Sequence, residues 1–263
     1  MKKIPLLILG LFFSGSAFAQ IMVYSPQRAS GWEGMPGLSG SHELRTYVSI
    51  RNPSDFPATI TVFFADATAQ RVVQKMTYDG GLIKYAYGDN IYILAHASEA
   101  FTLSTDSGGQ LSTGILAFYV PASIKPGEGQ LSSSVQIQVT LDRLDYIGNV
   151  TSSANIPVGQ NSFTLEFPVL LDRNSDTGVA LFNQNSEPVQ LNVNLYDSTN
   201  RLRETENIEL VPGQQLARYV SQLFRSARFV SNFQGHIEII ASKAIPMMTL
   251  KYSMADGSFQ IVR

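Results

Sequence analysis

The chain has 263 residues, with 19 basic and 21 acidic side chains and no cysteine. A formal net charge of −2 provides no broad basic surface, so nothing in the composition favours binding to nucleic acid or to an anionic membrane. The lack of cysteine excludes a disulfide framework. The length is sufficient for one or two packed cores without such cross-links.

The first nineteen residues have the layout of a secretory signal peptide. Two lysines precede an apolar run over 4–13, and a small-x-small cleavage site ends at Ala19. The run is shorter than the roughly 20 residues that span a bilayer. We therefore expect residues 1–19 to be removed, which leaves an exported protein, periplasmic or extracellular, that begins at Gln20 and has no membrane span.

The remainder contains an internal duplication. Three turn residues recur 131 positions later: Asn52 as Asn183, Pro57 as Pro188, and Asp66 as Asp197. In each copy an alternating strand precedes a polar turn, in which proline fixes φ while asparagine and aspartate bond their own backbone. Later blocks also match, with different spacings because surface loops vary in length: 93–98 with 209–214, Gly114 with Gly235, and 135–141 with 245–252.

Short, alternating, β-branched segments between turn residues are typical of β-sandwiches. We predict an all-β fold of two tandem immunoglobulin-like β-sandwich domains, the second with one short surface helix. Apolar residues at helical spacing indicate that helix: Leu216, Tyr219, Val220, Leu223 and Phe224. The predicted boundaries are 20–43 for an irregular lead-in that contains Trp32, 44–150 for domain 1, 151–162 for a polar linker and 163–263 for domain 2.

The second copy resembles a known class of proteins. Its segments 176–183, 216–224 and 233–237 are similar to the tandem immunoglobulin-like repeats that bacteria secrete. The resemblance covers roughly 163–258 well and 44–142 less well. It implies a secreted β-sandwich without enzymatic activity, and it supplies no functional residues.

A fainter likeness is to two-domain periplasmic pilus chaperones, because the turn 52–55 follows an alternating strand. Their mechanism requires a basic pair in the cleft between the domains. The sequence does not identify such a pair here.

Standard catalytic patterns are missing or incomplete. His42-Glu43 begins a zinc-hydrolase motif, but Thr46 stands where the second histidine is needed. Residues 37–41 lack the final glycine of a nucleophile elbow. Asp172 to Asp176 supply only half of a calcium loop, so the segment is interpreted as a turn, with a calcium site as the alternative. We expect no enzymatic activity, no catalytic residue, no metal and no cofactor.

Four tyrosines crowd one segment of the first copy: Tyr78, Tyr85, Tyr87 and Tyr92. They indicate either an extra hairpin that packs its own aromatic rings or an exposed interaction surface. The best-supported function is an exported, non-catalytic binding or structural protein whose partner is another envelope or extracellular protein. A pilus-type chaperone and a glycan-binding module or cryptic glycosidase are the alternatives.

Overall fold

The computed structural model describes residues 20–33, 39, 41–68, 70–104, 111–124, 131–224, 232–253 and 258–262. These residues form an all-β structure with one short helix, α1 (Val220–Leu223). The first unit contains β1 (Gln20–Glu33), β2 (His42–Arg51), β3 (Ala58–Ala65), β4 (Gln74–Tyr78), β5 (Ile83–Ala86), β6 (Gly88–Ile93), β7 (Ser98–Ser104), β8 (Ser112–Ile124), β9 (Leu131–Ser133), β10 (Gln136–Leu144) and β11 (Val150–Ile156). The second contains β12 (Asn161–Leu171), β13 (Ser175–Phe182), β14 (Val189–Asp197), β15 (Leu202–Leu210), β16 (Gln215–Tyr219), β17 (Phe233–Ser253) and β18 (Phe259–Val262).

The sheet of the first unit curls into two layers. One layer has the strand order β6-β3-β8-β1, and the other has β2 between β7 and β10, with β11 beyond β10 and the β4–β5 hairpin beyond β7. Strand β1 joins the layers, because its first part pairs with β8 and its last three residues pair with β2. The change of partner begins at Gly31, whose φ of 121° is accessible mainly to glycine.

The second unit repeats this arrangement without the hairpin. Its layers are β15-β14-β17-β12 and β16-β13-β17-β18. Strand β17 serves both layers: its first part pairs with β12 and β14, and its last part with β13 and β18. All pairs are antiparallel, so one face of each layer can be apolar and buried.

Equivalent residues of the two units occupy equivalent positions. The amide of Asn52 donates to the carbonyls of Phe56 and Ile93, and that of Asn183 donates to Glu187 and Leu210. The carboxylates of Asp66 and Asp197 each accept backbone N–H groups from the residues two and four positions later. The turn residues matched in the sequence therefore make equivalent hydrogen bonds in both units.

One sequence match needs a correction. The structure aligns Ile93 with Leu210, one position away from the match of 93–98 with 209–214, because both carbonyls accept from the buried asparagine. His96 then corresponds to Gly213, and both have positive φ, 58° and 78°. The spacing between counterparts falls from 131 to 117, so the first unit holds 14 additional residues, which form the β4–β5 hairpin.

Alternating side chains fill two apolar cores. The first is built around residues such as Val48, Ile60, Phe64 and Phe118, and the second around residues such as Leu181, Val193 and Ile237. Ala180, Met248 and Phe259 of the second unit belong to the first core cluster. The units therefore share apolar packing, and the outer face of the β13–β17–β18 layer rests on the first unit.

The corresponding outer face of the first unit has a different character. Ser49, Gln138 and Thr140 on β2 and β10 are the counterparts of Ala180, Met248 and Leu250 on β13 and β17. Gln138 is exposed, whereas Met248 is buried. The face is apolar where another unit covers it and polar where none does.

Polar contacts fix how the units are placed. The buried Gln215 amide donates to Pro26 O at 2.6 Å, to Gln27 Oε1 at 2.8 Å and to Gly114 O at 3.1 Å. The rings of Tyr24 and Phe182 lie 5.0 Å apart between their centroids. Hydrogen bonds to otherwise buried backbone groups give the apolar contact a defined register.

Three local predictions were wrong. The lead-in 20–43 is largely strand, because β1 and the start of β2 find partners in β8 and β10. The linker 151–162 begins with β11, the counterpart of β18. The helix is limited to 220–223: Leu216 and Tyr219 lie on β16 and pair with β13, so tertiary pairing overrides their helical spacing.

Candidate functional site

The tyrosine-rich segment forms the β4–β5 hairpin and the β6 strand after it. A tight turn joins β4 to β5: Gly81 has φ of 84° and donates to Tyr78 O, and Tyr78 N donates to Leu82 O. The chain then crosses at Tyr87 to the other layer and continues as β6. The hairpin therefore lies at one margin of the first unit, where both layers end.

Tyr78 belongs to the structural part of this margin. Its hydroxyl donates to Asp89 Oδ2 at 2.5 Å, Lys84 Nζ contacts the same oxygen at 2.6 Å, and its ring lies 5.6 Å from that of Phe101. Burial and the hydrogen bond to Asp89 raise the pKa of Tyr78. Burial alone would raise the pKa of Asp89, but hydrogen bonds from Lys84 and Tyr78 hold it below its ordinary value. This cluster links β4 and β5 of one layer to β6 of the other.

The other tyrosines face solvent. Tyr85 lies on β5, Tyr87 between β5 and β6, and Tyr92 on β6. Three aliphatic side chains of the same segment are also exposed. We call these six residues, each 50–61% exposed and spread over the outer sides of both layers at this margin, the hairpin surface: Leu82, Ile83, Tyr85, Tyr87, Tyr92 and Leu94.

Strands β5 and β6, which carry most of the hairpin surface, are edge strands. Among the described strands, β5 pairs only with β4 and β6 only with β3. The counterpart of β6 in the second unit, β15, contains Arg203, Glu204, Glu206 and Glu209. Charged side chains discourage another strand from pairing with an edge. Strand β6 contains only Asp89, which is engaged with Lys84 and Tyr78, so its edge lacks this protection.

A cleft lies between the two units. Its volume is about 350 Å³, and its walls come from β1, β2, β8 and β10 of the first unit and from β13, β16, α1, β17 and β18 of the second. The walls include Leu44 and Leu141 on one side and Met248 and Leu250 on the other. Arg143 and Arg218 also line it. The sequence did not indicate this cleft, because only the docking of the units brings its walls together.

A larger depression, about 630 Å³, lies at the far end of the second unit beside Asp197, Asn200 and Lys251. It corresponds to the end of the first unit on which the second unit rests, because Gly235 and Lys251 are the counterparts of Gly114 and Leu141. Lysine in place of leucine suits a surface that remains in contact with water.

The residues considered for metal binding lie apart. His42 and His236 are on strands, not in loops, and His96 contacts Asp55 across a turn at 2.9 Å. No group of three histidine, aspartate or glutamate side chains within the described ranges is placed to hold a metal ion. The Asp172 carboxylate accepts the Asn174 N–H at 2.7 Å, which forms the expected turn.

Asp176 has a different environment. It is buried, and its carboxylate accepts the Ser221 hydroxyl at 2.5 Å and the Thr177 N–H at 2.7 Å. Burial raises the pKa of Asp176, and these hydrogen bonds offset only part of that effect. The folded protein therefore binds this proton more readily than the unfolded chain does, and the stability that it gains from the protonated group is lost as the pH rises through the folded pKa.

We expect Asp176→Asn to increase the free energy of unfolding at pH 7 by less than about 1 kcal/mol, because the amide oxygen can keep the bond from the Thr177 N–H and the amide nitrogen can donate to the Ser221 hydroxyl oxygen, without a buried charge. The advantage should shrink as the pH falls towards 4. Urea denaturation at several pH values measures it, with Glu99→Gln, an exposed carboxylate, as the control. An advantage that grows on acidification would contradict the assignment.

Comparisons with protein families and with curated proteins identify no relative. No protein-family model matches the chain, and no curated protein does. Among solved structures, the hazelnut (Corylus avellana) vicilin has 8% identity and a TM-score of 0.21, with 82% of this chain and 75% of that chain covered. The Momordica charantia 7S globulin has 7% identity and a TM-score of 0.19, with 81% and 75% covered. TM-scores of this size do not establish a common fold.

Within the described residues, no helix has the length and apolar character that a membrane span requires.

Proposed function

We propose that this chain is an exported, non-catalytic binding protein made of two immunoglobulin-like sandwiches, and that it contacts a partner protein of the envelope or extracellular space through the hairpin surface. The observation that carries the proposal is the position of this surface. Four of its six residues, Leu82, Ile83, Tyr85 and Tyr87, lie within the 14-residue insertion that the second unit lacks, and that unit completes both of its layers without them. Folding of the sandwich therefore does not require the exposed apolar side chains of the insertion, and binding gives them a role.

The composition of the hairpin surface favours a protein over a glycan. Tyrosine rings suit both kinds of partner, but Leu82, Ile83 and Leu94 offer neither stacking nor hydrogen bonds to a sugar. Aliphatic and aromatic side chains together are typical of the buried centre of a protein interface. The unprotected edge of β6 adds backbone groups that a partner strand can pair with.

Site-specific photo-crosslinking in the producing cell tests the proposal. A photoreactive phenylalanine analogue replaces Tyr85 or Tyr92, and in the control strain it replaces Tyr146, which is 46% exposed and lies outside the hairpin surface. We expect a protein adduct of defined mass from positions 85 and 92 only. No adduct at either position, or an equal adduct at position 146, would refute the hairpin surface as the contact.

A further inference from the structure

The exposed side chains of the hairpin surface lie on opposite sides of the first unit. On β5, Ile83 and Tyr85 are exposed, and Lys84 between them lies across from the core residue Met76. On β6, Tyr92 is exposed and both of its neighbours along the strand are buried. Successive side chains of a strand point to opposite faces. Ile83 and Tyr85 therefore lie on the outer side of one layer, and Tyr92 lies on the outer side of the other.

Exposed apolar side chains also occur between these two sides. Leu82 lies in the turn before β5, and Tyr87 lies where the chain crosses from one layer to the other. Packed layers of a sandwich are about 10 Å apart. One flat surface of a partner therefore cannot contact Tyr85 and Tyr92 together, whereas a concave surface can.

The margin has a fixed shape and little net charge. The Tyr78 hydroxyl donates to Asp89 Oδ2 at 2.5 Å, and Lys84 Nζ lies 2.6 Å from the same oxygen, so the two layers are linked at this margin. Lys84 and Asp89 are the charged residues of β5 and β6, and they form an ion pair with each other. A partner can enclose these strands without supplying a charge of its own.

We propose that the partner protein binds this margin in an apolar groove, whose two walls contact the outer sides of the two layers. The inference rests on the proposed function and specifies the shape and the chemistry of the partner. A lipid bilayer also surrounds an inserted margin from both sides. However, β5 and β6 are edge strands, and hydrocarbon cannot satisfy the backbone N–H and C=O groups of a sheet edge. The backbone of a protein groove can pair with them.

A charge placed on one side of the margin tests whether one groove encloses both sides. The photoreactive phenylalanine analogue replaces Tyr92, and Ile83→Arg is introduced on the opposite side. We expect the yield of the position-92 adduct to fall by at least about tenfold, because the arginine would be buried without a partner against the facing wall. Val150→Arg, at a residue that is 58% exposed and lies outside the hairpin surface, should leave the yield unchanged.

The reciprocal pair gives a second measurement, with the analogue at position 85 and Tyr92→Arg on the other side. Circular dichroism checks that each variant is folded. Adducts of wild-type yield in both arginine variants would show that the two sides bind separately, which would overturn the groove and leave the protein contact in place. No adduct at position 85 or 92 without the arginines would refute the proposed function itself. Cosedimentation of the mature chain with phosphatidylcholine vesicles, abolished by either arginine, would assign the margin to a membrane and overturn the groove.

Discussion

Gly235→Ala is expected to lower the free energy of unfolding by about 3 kcal/mol or more. A Cβ atom at this position would lie 1.9 Å from the carbonyl oxygen of Tyr196 and 2.9 Å from its carbonyl carbon. The obstacle is the backbone of β14, which is held in place by pairing with β15 and β17. Strands β14 and β17 therefore cannot move apart without losing backbone hydrogen bonds. The counterpart Gly114 has the same relation to Ala65 O, at 2.0 Å, and Gly114→Ala should have a similar effect.

Urea denaturation followed by circular dichroism measures this change. Gly80→Ala is the matched control, because no atom lies within 4 Å of the added Cβ and the φ angle is not positive there. The control should stay within about 0.5 kcal/mol of the wild type. If Gly235→Ala behaved like the control, β14 and β17 could not approach each other as described.

Asn183→Asp should lower the free energy of unfolding by about 4 kcal/mol at pH 7. The side chain is fully buried, and its amide donates to Glu187 O at 2.9 Å and to Leu210 O at 2.8 Å. A carboxylate has the same shape but donates nothing, so the variant would hold a buried negative charge against two carbonyl oxygens. Asn52→Asp should be equally damaging, because Asn52 makes the same bonds in the first unit.

Differential scanning calorimetry of both variants tests this expectation. Asn174→Asp, at an exposed turn position, is the control and should leave the melting temperature nearly unchanged. A normal melting temperature for Asn183→Asp would show that the buried amide is not what fixes the turn between β13 and β14. A large effect at Asn183 together with none at Asn52 would contradict the equivalence of the two units.

The sequence predicted those parts of the fold that depend on local chemistry. Alternation located strands such as β3 and β14, and the asparagine and aspartate turns were matched between the units because both residues bond their own backbone. Strand β1 was missed, because its glycine-containing sequence has no clear alternation and only β8 and β2 make it a strand. The helix was overextended for the same reason, since Leu216 and Tyr219 pair with β13.

The candidate site could be predicted only in part. The density of tyrosines marked the segment, but sequence could not separate Tyr78, which is bonded to Asp89, from Tyr85, Tyr87 and Tyr92, which face solvent. That distinction depends on whether a side chain points between the layers or outward, and on the contact of Lys84 Nζ with Asp89 Oδ2. The cleft could not be predicted at all, because its walls come from both units and only the docking of the units brings them together.

Because equivalent sheet faces differ in polarity between the two units, the two ends of the duplicated structure are not interchangeable. A third unit that docked as the second one does would need an apolar receiving end, but Lys251 stands in the second unit where the first has Leu141. In the other direction, the first unit presents Gln138 where its counterpart presents Met248, so it cannot seat itself on a preceding unit in the same way. Units that dock by this contact therefore form a pair and not a longer series, because a few positions at each end of the pair are polar.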